Sequence, residues 1–146
     1  MTIASVLKQK QGLAIISVTP ETTMSELAGI ITSKRIGALV VLDAAQKLVG
    51  IVSERDVVKA VHAHGAAALG MTAGQLMTHK PVTASPDSTV DEAMELMDQG
   101  YFRHLPVMRG DTLVGIVSIR DLVKYRIMQQ RADVDDLKSY VYRVGS

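Results

Sequence analysis

The sequence predicts an α+β protein built from one supersecondary unit written twice. Two observations carry this. Residues 48–59, LVGIVSERDVVK, return at 113–124 as LVGIVSIRDLVK, identical at ten of twelve positions. A Thr-x-x-Glu pair also opens a helical apolar pattern at the same place in each copy, at Thr23–Glu26 and Thr89–Glu92. The copies are offset by 65 residues in the long match and by 66 upstream of it, where Leu39 matches Leu105. The one-residue change falls between Asp43–Gln46 and Arg109–Asp111, a turn, where an insertion costs least.

Each unit reads β-α-β-β-α. Ala14–Val18 and Pro81–Ala84 are short apolar runs bounded by proline and are expected as strands. The Thr-x-x-Glu pairs then form capping boxes, followed by apolar residues at helical spacing: Met24, Leu27 and Ile31, then Val90, Met94 and Met97. Gly37–Leu42 and Leu105–Met108 read as strands. A short turn joins each to Leu48–Val52 or Leu113–Val117, making a hairpin. A second helix is expected from Asp56 and from Asp121. The chain divides into an N-terminal segment with the first repeat (1–64), a linker (65–78), a second repeat (79–128) and a helical tail (129–146). A unit of about fifty residues buries too little surface to be comfortable alone. The copies are therefore expected to pack on each other about a pseudo-twofold axis, with any leftover helical face free to pair two chains.

Composition narrows the function. Of 146 residues, 47% are hydrophobic and 21% charged, a globular balance. Sixteen Lys and Arg against fifteen Asp and Glu leave no basic excess, so neither nucleic acid nor a membrane surface is an expected partner. Cysteine is absent, which removes disulfides, thiol catalysis and Cys-ligated zinc and fits a reducing compartment. The longest apolar run, Ile36 to Leu42, is far short of the roughly 20 residues a membrane span needs. Lys8 and Lys10 interrupt the N-terminal apolar run, which does not read as a signal peptide. A cytoplasmic protein is expected.

Some apparent motifs fail on inspection. Gly65-Ala-Ala-Ala-Leu-Gly70-Met71-Thr72 has P-loop glycine spacing, but Met71 stands where the phosphate lysine must be. His62 and His64 are two apart and do not share a helix face, so a metal pair is not expected. The methionines at helical spacing read as core packing.

The repeated Gly-φ-φ-Ser-x-x-Asp (φ apolar), at Gly50–Asp56 and Gly115–Asp121, resembles the motif of cystathionine-β-synthase (CBS) domains. The element order and the segment Tyr101-Phe-Arg-His-Leu-Pro-Val107 fit as well, and the resemblance covers residues 13–128. It is to stand-alone bacterial CBS-pair proteins. It implies one module binding adenine nucleotides, AMP, ADP, ATP or a dinucleotide such as NAD, in clefts between the repeats. It also implies a homodimer that signals to another protein rather than an enzyme. No catalytic residue and no catalytic cofactor are expected.

Chemically, a carboxylate at the Asp of the motif can accept both vicinal hydroxyls of a ribose. The Ser can reach ribose or phosphate, and the helix start favours an anion. The same Ser-x-x-Asp is also a sufficient helix N-cap that needs no ligand, and duplication alone does not separate the two readings.

The resemblance implies two unequal clefts. The first combines Ser53, Arg55 and Asp56 with Val82 and Arg103-His104-Leu105-Pro106, where relatives carry a phosphate-binding His–Arg pair in the reverse order. The second combines Ser118, Arg120 and Asp121 with Ile16, Gly37 and Ala38. There Gly37 and Ala38 replace the cationic pair, Val40 replaces Pro106, and Ile119 in place of Glu54 adds apolar character. The first is expected to hold a phosphorylated ligand more tightly. Lys59 and Lys124, one turn past each Asp, read as solvated helix residues before they read as phosphate ligands. The competing function is an interaction or scaffold dimer with vestigial clefts.

Overall fold

The computed structural model describes residues 1–10 and 14–144. The first unit runs from strand β1 (Ser17–Val18) through helix α2 (Met24–Lys34), β2 (Ala38–Leu42) and β3 (Leu48–Ser53) to helix α3 (Glu54–His64). The second runs from helix α5 (Val90–Gly100) through β5 (His104–Arg109) and β6 (Thr112–Ser118) to helix α6 (Ile119–Val144). Helix α1 (Ile3–Gln9) precedes the first. A 3₁₀ turn (Gly65–Gly70), helix α4 (Ala73–Leu76) and strand β4 (Thr78–His79) join the two. The fold is the expected α+β pair.

Both predicted capping boxes are formed. Thr23 Oγ1 accepts from the Glu26 N–H at 3.3 Å, and Thr89 Oγ1 from the Glu92 N–H at 3.0 Å. Each helix closes on a left-handed residue, Arg35 (φ 55°) and Tyr101 (φ 56°), whose N–H reaches Ile31 or Met97. Helices α3 and α6 begin at Glu54 and Ile119, ahead of the expected Asp56 and Asp121. The reason is that Ser53 is the N-cap and Asp56 the third helical residue.

The larger sheet has the order β1-β2-β3-β4. Strand β1 is parallel to β2, and both β2–β3 and β3–β4 are antiparallel. Strands β5 and β6 form an antiparallel pair. The strand expected at Pro81–Ala84 contracts to one parallel bridge, Ala84 to Val107. Proline has no N–H for a ladder, and the segment is held by two bonds, Ala84 N–H to Pro106 O and Met108 N–H to Ala84 O. The strand expected over Ala14–Val18 pairs with β2 only at Ser17 and Val18, and Leu13 lies outside the described residues.

Helices α1 and α4 play one structural role, each on the other side of the molecule. Ile3 and Val6 of α1 are buried with Val90, Met97, Leu105 and Val117 of the second unit. Ala73 of α4 is buried with Val18, Leu27 and Leu39 of the first. The backbone contacts are reciprocal. Val90 N–H donates to Met1 O at 3.1 Å and Ile3 N–H to Ser88 O at 2.8 Å; Met24 N–H donates to Met71 O and Ala73 N–H to Thr22 O, both at 2.7 Å. Met1-Thr2 and Met71-Thr72 are thus equivalent, and the swap of α1 onto the second unit ties the halves into a pseudo-twofold pair.

The same docking explains the motif glycines. A Cβ at Gly115 would stand 2.6 Å from Leu7 Cδ2 of α1, and one at Gly50 would strike Met77 and lie 2.9 Å from Thr78 O. A side chain at Gly115 would have to displace Leu7, and one at Gly50 would also meet the backbone carbonyl of Thr78.

Candidate nucleotide cleft

One cavity of about 640 Å³ lies between the two units, within the ordinary size for a small-molecule site. Its walls include Ser53, Arg55 and Asp56 at the start of α3. Facing them are Val82 from the segment entering the second unit and Arg103 and His104 at the start of β5. Six of the residues expected at the first cleft thus converge. Pro106 is not on the wall: it is buried within β5, and its carbonyl accepts from Ala84 N–H at 2.9 Å. Gly37, expected in the second cleft, lines this cavity instead.

The Ser53–Asp56 pair forms the helix cap read from its sequence. Ser53 Oγ accepts from Asp56 N–H at 3.4 Å, while Asp56 Oδ2 takes the Ser53 N–H at 2.8 Å and its hydroxyl at 3.1 Å. The cap therefore uses one carboxylate oxygen. Oδ1 has no hydrogen bond among the described residues, leaving it for a donor from a ligand. Arg55 Nη1 reaches across the cleft to the Tyr101 carbonyl at 3.1 Å, so the helix start of the first unit is tied to the aromatic corner of the second.

Charge on the walls is mainly positive. Arg55, Lys59, Lys80 and Arg103 stand against Glu54 and Asp56. Burial lowers the pKa of His104, outweighing the pull of Asp121 and Glu54 in the other direction. The imidazole is therefore neutral near pH 7, able to donate from one nitrogen and accept at the other. It packs on Gly37, where a Cβ would come within 2.9 Å of His104 Cε1. Such a cleft suits a ligand with a hydroxyl-rich middle, an anionic end and a flat apolar group against Ile51, Val82 and Tyr101.

The second carboxylate is placed differently. Asp121 Oδ2 accepts from Ser118 N–H at 2.8 Å, repeating the cap, and also from Lys10 Nζ at 2.8 Å. Lys10 Nζ donates in addition to Ile116 O at 2.9 Å. Burial pushes the Asp121 carboxyl up, but the Lys10 ammonium and the Ser118 N–H outweigh it and hold the group below the usual carboxylate range. Of the other residues expected there, Arg120 is exposed, Ala38 is buried in β2, and Ile16 packs against the Leu27–Leu39 core. The ammonium of Lys10, the C-cap residue of α1, thus already sits on the carboxylate of the second motif.

Lys80, Tyr101 and Phe102 line the first cavity and were not assigned to it from the sequence. The signal for Lys80 was available: Met1-Thr2…Lys10 and Met71-Thr72…Lys80 share their spacing. Each docked segment ends on a lysine aimed at the equivalent cleft. In the first cleft, among the described residues, that lysine makes no bond to Asp56.

The family described as the CBS domain matches residues 13–63 and 73–127. The mitochondrial CBS domain-containing protein CBSX3 of Arabidopsis thaliana is 32% identical over 96% of this chain and 71% of its own length. The crystal structure of the CBS-domain containing protein ATU1752 from Agrobacterium tumefaciens superposes with a TM-score of 0.81 at 41% identity, covering 86% of this chain and 92% of that one. The CBS domain protein PAE2072 from Pyrobaculum aerophilum, complexed with AMP, superposes with a TM-score of 0.72 at 27% identity, covering 83% and 89%.

Proposed function

This chain belongs to the CBS domain family as a tandem pair, and on that premise we propose that it is a regulatory module. It binds one adenine nucleotide in the cleft between Asp56 and Arg103, and the occupied cleft signals to a partner protein. The observation that carries the reading is the contrast between its two motif carboxylates. Both keep Oδ1 without a hydrogen bond among the described residues, but Asp56 faces a cationic wall across a roomy cleft, whereas Asp121 carries the Lys10 ammonium on its Oδ2.

In the bound state Asp56 Oδ1 accepts the ribose hydroxyls and Ser53 adds a hydroxyl contact. Arg103, with Lys80 and Lys59 at the rim, neutralises phosphate. Val82, Ile51 and Tyr101 cover the base. The AMP of the Pyrobaculum relative supports adenine as the base, and AMP, ADP, ATP and NAD all share the adenosine that these residues suit. The module does no chemistry on the ligand, and sustained turnover of any nucleotide by the pure protein would contradict that. Ordering the cleft couples the two units, because Arg55 already spans them. This gives a two-state element whose balance a ligand can shift.

Thermal unfolding against AMP, ATP, NAD and S-adenosylmethionine tests the reading. A ligand at about 100 times its dissociation constant adds roughly 2.7 kcal/mol, a rise of several degrees for a chain of this size. The rise is expected with an adenine nucleotide, to be lost in Asp56→Ala and kept in Asp121→Ala. A flat response to all four leaves Ser-x-x-Asp as a cap and nothing more.

A further inference from the structure

The two docked segments share their anchor and then part. The spacing that aligns Met1-Thr2 with Met71-Thr72 aligns Leu7 with Met77, Lys8 with Thr78, Gln9 with His79 and Lys10 with Lys80. Leu7 and Met77 sit on the equivalent motif glycines, Gly115 and Gly50. From Met77 the chain is extended, and Thr78 and His79 pair as β4 with Ile51 and Gly50 of β3. After Leu7 the helix runs on to Gln9, and Lys10 closes it, its N–H reaching the Leu7 carbonyl at 3.0 Å. Equivalent residues thus adopt two backbone arrangements in one molecule.

The second unit keeps the place that a counterpart of β4 would take. Among the described residues β6 pairs only with β5, so its edge at Gly115 and Ile116 carries no strand. The Ile116 carbonyl accepts there from the Lys10 ammonium at 2.9 Å, whereas its counterpart Ile51 is paired with Thr78. A Cβ at Gly50 would lie 2.9 Å from the Thr78 backbone carbonyl, but the nearest neighbours of one at Gly115 would be side-chain carbons of Leu7. Glycine at 115 therefore leaves room for a backbone that the helix does not bring there. A helix of seven residues does not hold itself in water. Its last turn depends on what its end touches, and that is Asp121, 2.8 Å from the Lys10 ammonium.

We propose that the last turn of α1 is a latch on the second cleft. While Lys10 holds Asp121 the turn stays helical. Once that ion pair is broken, Lys8 and Gln9 unwind onto the free edge of β6 as Thr78 and His79 lie on β3. The new strand brings Lys8 to the wall of the second cleft, in the place that Thr78 takes beside Ile51 in the first, where Lys80 follows it. The inference goes beyond nucleotide binding and needs no ligand, so either can fail without the other.

NMR of the full chain without ligand tests the latch. In wild type the Cα shifts of Lys8 and Gln9 should be helical. In Lys10→Met they should change sign to extended values, with cross-strand contacts from Lys8 to Ile116 and from Gln9 to Gly115. Asp121→Asn breaks the ion pair from the other end and keeps an oxygen for the Ser118 N–H. It should give the same change, and it carries the test alone if Lys10→Met does not fold. Helical shifts that persist in the folded variants, shifts that turn to coil without contacts to β6, or a change confined to one of two folded variants overturns the inference.

Discussion

Lys10 and Lys80 end equivalent segments, yet one is bonded to the motif carboxylate and the other is not. The ion pair stabilises the docking of α1, because Asp121 is held below its usual range in the folded chain. A depressed carboxylate contributes stability above its unfolded value and loses it as pH falls below about 4. Lys10→Met should therefore melt below wild type at pH 7, and the gap should close at pH 3. A gap independent of pH would place the effect in packing rather than charge. The same variant frees Asp121, so a second, weaker nucleotide equivalent should appear in calorimetry. His104 carries the opposite signature for a base. Burial lowers its pKa, so its neutral form stabilises the fold above about pH 6.5, and that contribution drains away as pH falls from there. His104→Gln should lose less melting temperature than wild type between pH 7.5 and 5.5; an equal loss would assign the dependence to the other histidines.

At the scale of elements, the helix ends make separate contributions. Thr89→Ala removes the cap of α5, a change worth about 1 kcal/mol, and should lower the melting temperature by roughly 2–4 °C without touching the cleft. Arg35 sits at φ 55° after α2, a conformation that strains any residue with a Cβ. Arg35→Gly should raise the melting temperature by a degree or more, and a fall would show that the arginine side chain has a role of its own. These helices were legible in the sequence because a capping box is a local device: Thr23 and Glu26, or Thr89 and Glu92, need nothing distant to pair. The hairpins were legible from alternation and the shared LVGIV. What was not legible depends on distant partners. Nothing near Ile3 says that α1 crosses to the second unit, where Val90 and Leu105 bury it. The linker expected over 65–78 holds α4 and the first residue of β4, because Ala73 and Thr78 find their places on the first unit. The tail, expected as a separate helix from residue 129, continues α6 without a break, since no glycine or proline interrupts the helix before Gly145.

Across the whole molecule, the exchange of α1 and α4 makes the halves interdependent. Each unit's core is completed by a segment from the far side, so the chain should unfold in one transition, as single domains of this size commonly do. Calorimetric and van't Hoff enthalpies should agree, whereas two resolved transitions would mean that the units hold without their swapped helices. For the cleft, the paired residues Ser53 and Asp56 and the facing Arg103 and His104 could be assigned from the repeat and the family resemblance. The asymmetry could be anticipated only in part: the replacement of Arg103-His104 by Gly37-Ala38 was visible, but the hold of Lys10 on Asp121 needs the folded chain. That asymmetry decides which cleft a nucleotide occupies, and titration calorimetry with AMP measures it directly. Wild type should bind close to one equivalent per chain. Asp56→Asn, which keeps an oxygen for the cap but removes the charge, should weaken binding by at least about tenfold, in line with hydrogen bonds to a charged group, while Asp121→Asn should leave it nearly unchanged. Binding that survives Asp56→Asn and disappears in Asp121→Asn would contradict the assignment of the cleft.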